Sequence, residues 1–367
     1  MEKTQKRLIV FMPSMDGGGV EKNIIIISNY LSKFVNKITL ITFDNRFNNQ
    51  FNKNIKIINV KNNNNDNHSK YYKYFLCLKI LIKEIFKNKD IAVFAFQANI
   101  YCIILSMFLN FNLIIRSNSS PSGWTKNKLK NFIFKIFFRS PNYVVVNSFQ
   151  FANEIYKKFD TRAKVIYNPL NKFEILKKSK EKIHFKFSNQ KSLKIINIAR
   201  FTDQKDHITL LKAFKIIKTK IKAELLIMGY GSNKKLIKNF IKKNKLSKQI
   251  RVISFQKNPY PFIKKADIFI LSSLYEGLPN VLLEALTLKK FIISSNCPTG
   301  PREILNNGKY GFLFKTRDSK ELSKKIIYYF NNKKKLQIKI NEGYKSLIRF
   351  DYEKNCFKYL KLVKKVI

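Results

Sequence analysis

Short apolar runs alternate with longer amphipathic ones along the whole chain, and this alternation limits the possible folds more than any other feature. The short runs are nearly continuous in apolar, often β-branched residues, which is typical of strands buried on both faces of a parallel sheet. The longer runs have helical spacing. We therefore predict an α/β protein with doubly wound parallel sheets. The predicted strands are 8–12, 38–43, 55–60, 91–96, 113–117, 143–148, 164–168, 194–200, 224–229, 250–255, 268–273, 291–296 and 311–314.

The length of 367 residues suits two domains rather than one core. The boundary is expected at YNPLNKF, where Pro169 restricts the backbone of Asn168, ahead of a polar, Lys-rich stretch at 177–191. We predict domains at 1–169 and 170–350, with a helix in 351–367 packing back on the first domain. Ligands of open α/β sheets bind beyond the carboxyl ends of the strands, so two facing domains would place the site in the cleft between them.

The charge balance is extreme, with 72 Lys and Arg against 23 Asp and Glu and a formal net charge of +49. Such a surface favours a polyanion or anionic lipid as partner. The even spread of Lys and the sparse use of Arg, Ala, Gly and Pro are also what an AT-rich coding sequence would produce. Both interpretations remain open, and no nucleic-acid-binding motif is present, so no nucleic acid partner is expected.

The cysteines and the apolar segments indicate the cellular compartment in which the protein is expected. Cys77, Cys102, Cys297 and Cys356 lie far apart without CxxC spacing, which indicates reduced thiols and no zinc site. The region 100–115 is interrupted by polar residues and too short to span a bilayer, and the apolar run near the start is too short for a signal peptide. We expect a cytoplasmic protein, either free or peripheral on the inner face of the membrane.

Two of the scarce carboxylates, Glu276 and Glu284, flank a Gly-Leu-Pro turn after the predicted strand 268–273. Pro279 favours a helix that starts just after it, at about residue 280, and ends near residue 288. Glu284 would then lie one turn into the helix, on the same side as Glu276. Backbone amides at a helix start bind phosphate or sugar oxygens, and the two carboxylates could hold pairs of hydroxyl groups. The alternative is that Glu276 is solvated and Glu284 forms a surface ion pair. The amides expected to face the cleft are those of Leu278, Asn280 and Val281.

Two cations lie at the end of another predicted strand. Arg200 ends the strand 194–200, and Lys205 precedes the helical run HITLLKAF. Together they could neutralise a diphosphate leaving group. In so basic a chain, the two cations alone are no stronger than background. His207, beside them, is expected to cap or be solvated at the helix start.

A glycine turn, Gly17-Gly18-Gly19, follows the first strand and precedes a helical run, which suits anion binding at a helix N-terminus. A dinucleotide-binding fingerprint would require glycine at position 22, which is Lys22. Asp44 ends the second strand, where a ribose-binding acid would lie in a dehydrogenase. An NAD-dependent oxidoreductase and a turn without a ligand therefore both remain alternatives.

Several segments in order, GGGVE, ARFTDQKDHITLLKAF, LLIMGYGSNKKL, YEGLPNVLLEAL and NCPTGPREILNNGKYGFLF, resemble the retaining glycosyltransferases of family 4. The resemblance covers essentially the whole chain. Its most specific part is the E-x7-E element formed by Glu276 and Glu284, with Arg200 and Lys205 upstream. It implies a GT-B fold of two facing Rossmann-like domains.

The resemblance also implies an activity: a retaining, metal-independent hexosyltransferase that uses a nucleotide sugar, UDP-linked, as co-substrate and no cofactor. The acceptor would be a glycan or a polyprenyl-diphosphate lipid in bacterial surface polysaccharide or lipopolysaccharide synthesis at the cell envelope. No D-x-D motif and no metal-ligand cluster occurs in the sequence. We therefore predict that Arg, Lys and helix amides, rather than a metal ion, balance the diphosphate.

Carried over by position, the resemblance gives each site residue a role. Glu284 would hold the ribose hydroxyls and Glu276 the donor sugar. Arg200 and Lys205 would bind the diphosphate. The backbone of Gly18-Gly19 would approach it from the first domain, and Phe255 and Gln256 could line the base pocket. Many family members carry a histidine near the donor sugar; the corresponding segment RSNSSPSGW offers Arg116 and Asn118 instead.

Two basic, aromatic stretches in the first domain, 71–86 and 124–138, have helical spacing. Such helices lie on anionic membranes in some proteins and bury their apolar face on a sheet in others. The sequence leaves both possibilities open. Binding to an anionic membrane surface is therefore one expectation. A non-enzymatic, polyanion-binding role is an alternative function.

Overall fold

The structure is a computed structural model that describes residues 7–15, 17–60, 68–88, 90–118, 121, 127–189 and 191–367. The chain divides into two compact units, Met1–Pro169 with Phe350–Ile367, and Leu170–Arg349. The strands are β1 (Arg7–Phe11), β2 (Ile38–Thr42), β3 (Ile55–Asn59), β4 (Ile91–Ala95), β5 (Asn112–Arg116), β6 (Tyr143–Val146), β7 (Lys164–Val165), β8 (Leu193–Ile198), β9 (Ala223–Met228), β10 (Ile250–Ile253), β11 (Ile268–Leu271), β12 (Phe291–Ser295) and β13 (Phe312–Phe314).

Most of the α-helices alternate with the strands, whereas a 3-10 turn joins β2 to β3 and three α-helices follow β13 in succession. They are α1 (Gly19–Leu31), α2 (Lys70–Lys87), α3 (Asn99–Leu109), α4 (Lys128–Phe137), α5 (Phe149–Phe159), α6 (Lys172–Lys178), α7 (His207–Ile217), α8 (Lys234–Lys243), α9 (Tyr260–Lys265), α10 (Asn280–Thr287), α11 (Pro301–Ile304), α12 (Ser319–Asn331), α13 (Lys333–Ser346) and α14 (Tyr352–Val363).

The first unit is built on a parallel sheet with strand order β3-β2-β1-β4-β5-β6-β7. Helices α1 and α14 cover one face, where Cys356, Tyr359 and Val363 of α14 are buried with Leu8 and Val10 of β1. The C-terminal helix therefore belongs to the core of the first unit. The helices α2, α3, α4 and α5 cover the opposite face, which is a separate apolar cluster.

Arg116, at the end of β5, is fully buried in this unit. Its Nε donates to the Tyr359 hydroxyl at 2.8 Å, and the guanidinium also bonds the side-chain oxygens of Asn168 and Asn118 and lies over the ring of Phe96. Buried charges are tolerated when such bonds satisfy them. Arg116 therefore holds α14 to the end of the sheet, and Asn118 belongs to the same network.

The second unit is built on a parallel sheet with order β10-β9-β8-β11-β12-β13. Strands β8, β9, β11 and β12 contribute buried side chains to a core closed by α7, α8, α12 and α13. The order matches the doubly wound pattern, in which the direction of winding reverses between the first and fourth strands of the unit. That reversal lies between β8 and β11.

The fold class is confirmed: both units are doubly wound parallel α/β structures. All predicted strands are present, and most of their ends agree within two residues. Within the residues described, no helix combines the length and apolarity needed to cross a bilayer.

Candidate active site

The candidate site lies at the carboxyl edge of the second sheet, where β8 and β11 are neighbours. Open α/β sheets bind ligands at such a reversal point because the loops after the two strands turn to opposite sides. The loop after β8 carries Arg200 and Lys205, and the loop after β11 carries Glu276. The topology therefore brings together residues that the sequence analysis had to consider separately.

Lys205 and Glu276 form an ion pair, with 2.5 Å between Nζ and Oε1. Glu276 is buried, and its Oε1 also accepts a hydrogen bond from the Ser273 hydroxyl at 2.6 Å. Within the described residues, Oε2 of Glu276 has no hydrogen-bond partner. One oxygen thus fixes the carboxylate, and the other can accept a hydrogen bond from a ligand.

The two loops are also held together through their backbones. The Leu274 N–H donates to the Gln204 carbonyl at 2.8 Å, and the Gln204 side-chain amide donates to the Tyr275 carbonyl at 2.8 Å. The Ser272 hydroxyl donates to the Lys205 carbonyl at 2.9 Å. These bonds fix the 3-10 turn at Asp203–Lys205 against the loop after β11, so the ion pair is held in place without a ligand.

Arg200 is exposed, and its side chain has no hydrogen bond or ion pair with any described residue. Its loop lies against the turn after β9: the Phe201 N–H donates to the Tyr230 carbonyl at 2.6 Å. A Cβ on Gly229 would lie 1.9 Å from the Ala199 carbonyl oxygen, so this contact requires glycine. Arg200 is therefore a solvated cation on a fixed backbone, in the same loop as Lys205.

Phe255 and Gln256, which sequence reasoning considered for a base pocket, follow β10. Phe255 is exposed and lies edge-on to Tyr230, with 5.8 Å between ring centroids. Gln256 donates to the Ser254 carbonyl at 3.4 Å. An exposed aromatic ring at this sheet edge is available for stacking, and its role in base binding stays a prediction.

Helix α10 runs over Asn280–Thr287, so the predicted helix 280–288 is confirmed to within one residue. Glu284 is buried one turn in, and Leu278 is buried ahead of the helix. Asn280 and Val281 are half-buried at its first turn. Their roles in ligand binding stay predictions.

Residues outside the E-x7-E element also support Glu276. The Thr299 hydroxyl donates to the Glu276 carbonyl, and a Cβ on Gly300 would lie 2.1 Å from the Gly277 carbonyl oxygen. Burial, followed by the charge of Glu276, raises the pKa of Cys297 to about 12, so this thiol stays protonated. Sequence reasoning missed Ser273, Thr299 and Gly300, although the SSLYEG and CPTGPRE segments contain them.

Gly18 and Gly19 belong to the first unit, at the start of α1. The Gly18 N–H donates to the Glu21 carboxylate at 2.9 Å, and Gly19 is the first helical residue. The predicted helix start is confirmed. Contact of these glycines with a diphosphate stays a prediction, and Asp16 lies outside the described residues.

Asp44 is engaged in the structure of the first unit. Its carboxylate accepts from the Met15 N–H at 2.8 Å and from Lys73 at 3.0 Å, and both Asp44 and Lys73 are buried. A carboxylate committed in this way is a poor ribose ligand. This geometry disfavours the oxidoreductase alternative.

The prediction that His207 caps α7 or is solvated at its start is wrong, because the side chain is buried and does not cap the helix. Asp206 is the cap, accepting from the Thr209 N–H at 3.2 Å. The His207 ring lies edge-on to Phe201, and neither ring nitrogen has a partner among the described residues. Burial, with a smaller contribution from Lys205, lowers its pKa to about 4, so the ring is neutral.

A cavity of about 300 Å³ lies beside the start of α7, lined by Thr202, His207, Leu274 and Arg317 among others. None of Arg200, Lys205, Glu276 and Glu284 lines it. No group of three His, Cys, Asp or Glu among the described residues is arranged to hold a metal ion.

The family model for group 1 glycosyl transferases matches residues 179–346, which include both loops and α10. A glycosyltransferase of Methanocaldococcus jannaschii is 30% identical over 265 residues, covering 64% of each chain. Residues 179–346 of this chain are therefore similar to the group 1 glycosyl transferases. A second similar protein, from Campylobacter jejuni, is 25% identical over 323 residues, covering 84% of this chain and 86% of that protein. It is named N-acetylgalactosamine-N,N'-diacetylbacillosaminyl-diphospho-undecaprenol 4-alpha-N-acetylgalactosaminyltransferase.

Among solved structures, Anabaena HepE in complex with UDP matches with a TM-score of 0.77 at 14% identity, covering 98% of this chain and 100% of that chain. The fold of this chain is therefore GT-B, as the family resemblance implied.

Proposed function

We propose that this protein is a glycosyltransferase that transfers a hexosyl or N-acetylhexosaminyl group, with retention of configuration, from a UDP sugar to a glycan or a polyprenyl-diphosphate-linked acceptor. The observation that carries the proposal is the Lys205–Glu276 ion pair at the reversal point of the second sheet, with the solvated Arg200 in the same loop as Lys205. The process would be synthesis of bacterial surface polysaccharide, on the cytoplasmic side of the membrane.

The cations suit the leaving group. As the bond from the sugar to the diphosphate breaks, negative charge develops on the phosphate oxygens, and fixed cations stabilise it. Arg200 is free to form bidentate bonds to phosphate, and Lys205 is already held at the same edge. We propose that these two groups make a metal ion unnecessary.

The carboxylates suit the hydroxyl groups of the donor. Glu276 is held through Oε1 by Lys205 and Ser273, which leaves Oε2 to accept from a sugar hydroxyl. Glu284, one turn into α10, would accept from the ribose. Because a preformed carboxylate loses little freedom on binding, both residues would orient the donor at small entropic cost.

The name of one relative supports the proposed acceptor. The Campylobacter jejuni protein is named for transfer to a diphospho-undecaprenol-linked sugar. We infer an acceptor of the same chemical class, a saccharide on a polyprenyl diphosphate. Retention would be read from the anomeric coupling of the product by NMR.

The test is calorimetric titration with UDP, GDP and NAD in the presence of EDTA. Wild type should bind UDP without metal, and Glu284→Gln should weaken UDP binding by about tenfold or more because it replaces a charged acceptor. The matched control is Glu342→Gln, which removes an exposed carboxylate on α13 and should leave UDP affinity unchanged. Binding of NAD alone, or equal losses in both variants, would refute the proposal.

A further inference from the structure

The outer side of α4 carries an apolar stripe that faces solvent. Leu129 and Phe132 are 67% and 60% exposed, and Ile133 and Ile136 continue the stripe at the i, i+3, i+4, i+7 spacing of one helix face. The helix packs on the sheet with its other side, through Phe134 and Phe137. The apolar stripe is therefore not the face that builds the core.

Helix α3 repeats the arrangement. Cys102 and Ile103 are fully buried on its inner side, whereas Tyr101 and Met107 are exposed and Phe108 is 82% exposed on the outside. Helix α3 packs against α4, and the ring of Tyr101 contacts that of Tyr74 on α2. The outer sides of α2, α3 and α4 thus belong to one layer of neighbouring helices over one face of the sheet.

Helix α2 adds aromatic rings and cations to this layer. Tyr71, Tyr72 and Phe75 are exposed, and the Lys79 ammonium lies 4.5 Å from the centroid of the Phe75 ring. The one acid in the sequence of α2, α3 and α4 is Glu84, which is buried and paired with Arg7 at 2.6 Å. The exposed charge of these helices is positive.

We propose that this outer aromatic surface, the exposed side chains of α2, α3 and α4, docks on an anionic phospholipid bilayer. Apolar and aromatic side chains flanked by lysines are what the headgroup region of such a bilayer accommodates. Each cation near the surface adds attraction to anionic lipid. Several large exposed apolar side chains on neighbouring helices are typical of an interaction surface.

Charge decides between a bilayer and a second copy of the chain. A symmetric dimer would bring the same patch of each copy together, so lysines would face lysines without acids between them. Anionic lipid is complementary to this patch. The inference rests on the proposed function in one respect: a polyprenyl-linked acceptor would lie in the same bilayer.

The test is flotation with vesicles of phosphatidylcholine alone and of an equimolar mixture with phosphatidylglycerol. Wild type should float with the anionic vesicles, less so as salt is added, and remain unbound to the neutral ones. A triple variant should lose about tenfold or more in partitioning because it removes three apolar side chains from the bilayer contact. The variant combines Leu129→Gln, Phe132→Gln and Ile136→Gln.

The matched control replaces three exposed apolar residues of the second unit: Phe173→Gln, Leu236→Gln and Ile338→Gln. It keeps the net charge and should float like wild type. Equal losses in both triple variants, no binding by wild type, or a dimer by light scattering that the α4 variant abolishes would each overturn the proposal. UDP titration of the α4 variant separates the two proposals. If the variant still binds UDP but no longer floats, membrane docking is lost and the proposed donor binding is intact.

Discussion

Replacing His207 with leucine should remove a pH-dependent loss of stability in the second unit. His207 is buried against Phe201, and its ring nitrogens have no partner among the described residues. A neutral ring fits this apolar environment, whereas an imidazolium would be desolvated without compensation. Burial accordingly lowers the pKa from its usual 6.5 to about 4.

The sign follows from proton binding in the two states. Between the folded pKa near 4 and the usual value of 6.5, the unfolded chain binds more protons at this position, so the unfolding free energy rises with pH. The stabilising contribution is full above the unfolded pKa and is lost as the pH falls toward the folded pKa. From these two values, lowering the pH from about 7.5 to about 5 costs about 2 kcal/mol.

The assay is urea unfolding at both pH values, with hydrogen exchange read at the amides of α7 so that the signal reports this unit. The pH-dependent loss should be about 2 kcal/mol smaller in His207→Leu than in wild type. His184→Leu, which changes an exposed histidine in the same unit, is the control and should behave as wild type. Equal pH dependence in wild type and His207→Leu would show that the ring is accessible to protons in the folded state.

Two further predictions concern backbone contact and buried charge. Gly300→Ala should weaken UDP binding and lower the unfolding free energy by about 1–3 kcal/mol, because a Cβ would lie 2.1 Å from the Gly277 carbonyl oxygen. The control Gly308→Ala, also at positive φ but with its nearest neighbour at 3.8 Å, should show only the smaller backbone cost in urea unfolding. Tyr359→Phe should cost about 1–3 kcal/mol by leaving the Arg116 Nε–H without its acceptor. Its UDP affinity, measured by calorimetry, should not change, and unaltered stability would mean that the hydrogen bond contributes nothing net.

Local sequence determined the elements of this protein because the forces that select them act over a few residues. Strands buried on both faces require continuous apolar runs, and each such run became a strand. Pro279 predicted the start of α10 because its fixed φ and missing N–H suit a helix N-terminus. The sequence motifs likewise indicated Arg200, Lys205, Glu276 and Glu284.

Tertiary structure decided which groups meet and which faces stay exposed. Lys205 and Glu276 are 71 residues apart in the sequence. They form an ion pair because the strand order places β8 beside β11, which brings the loops after these two strands together. The local sequence around His207 is compatible with either a capping or a buried side chain. In the fold its ring packs edge-on against Phe201, and Asp206 caps α7 instead. Periodicity revealed an apolar stripe on α4 but not its direction. Only packing on the sheet shows that the stripe faces outward, because burial depends on contacts between segments distant in the chain.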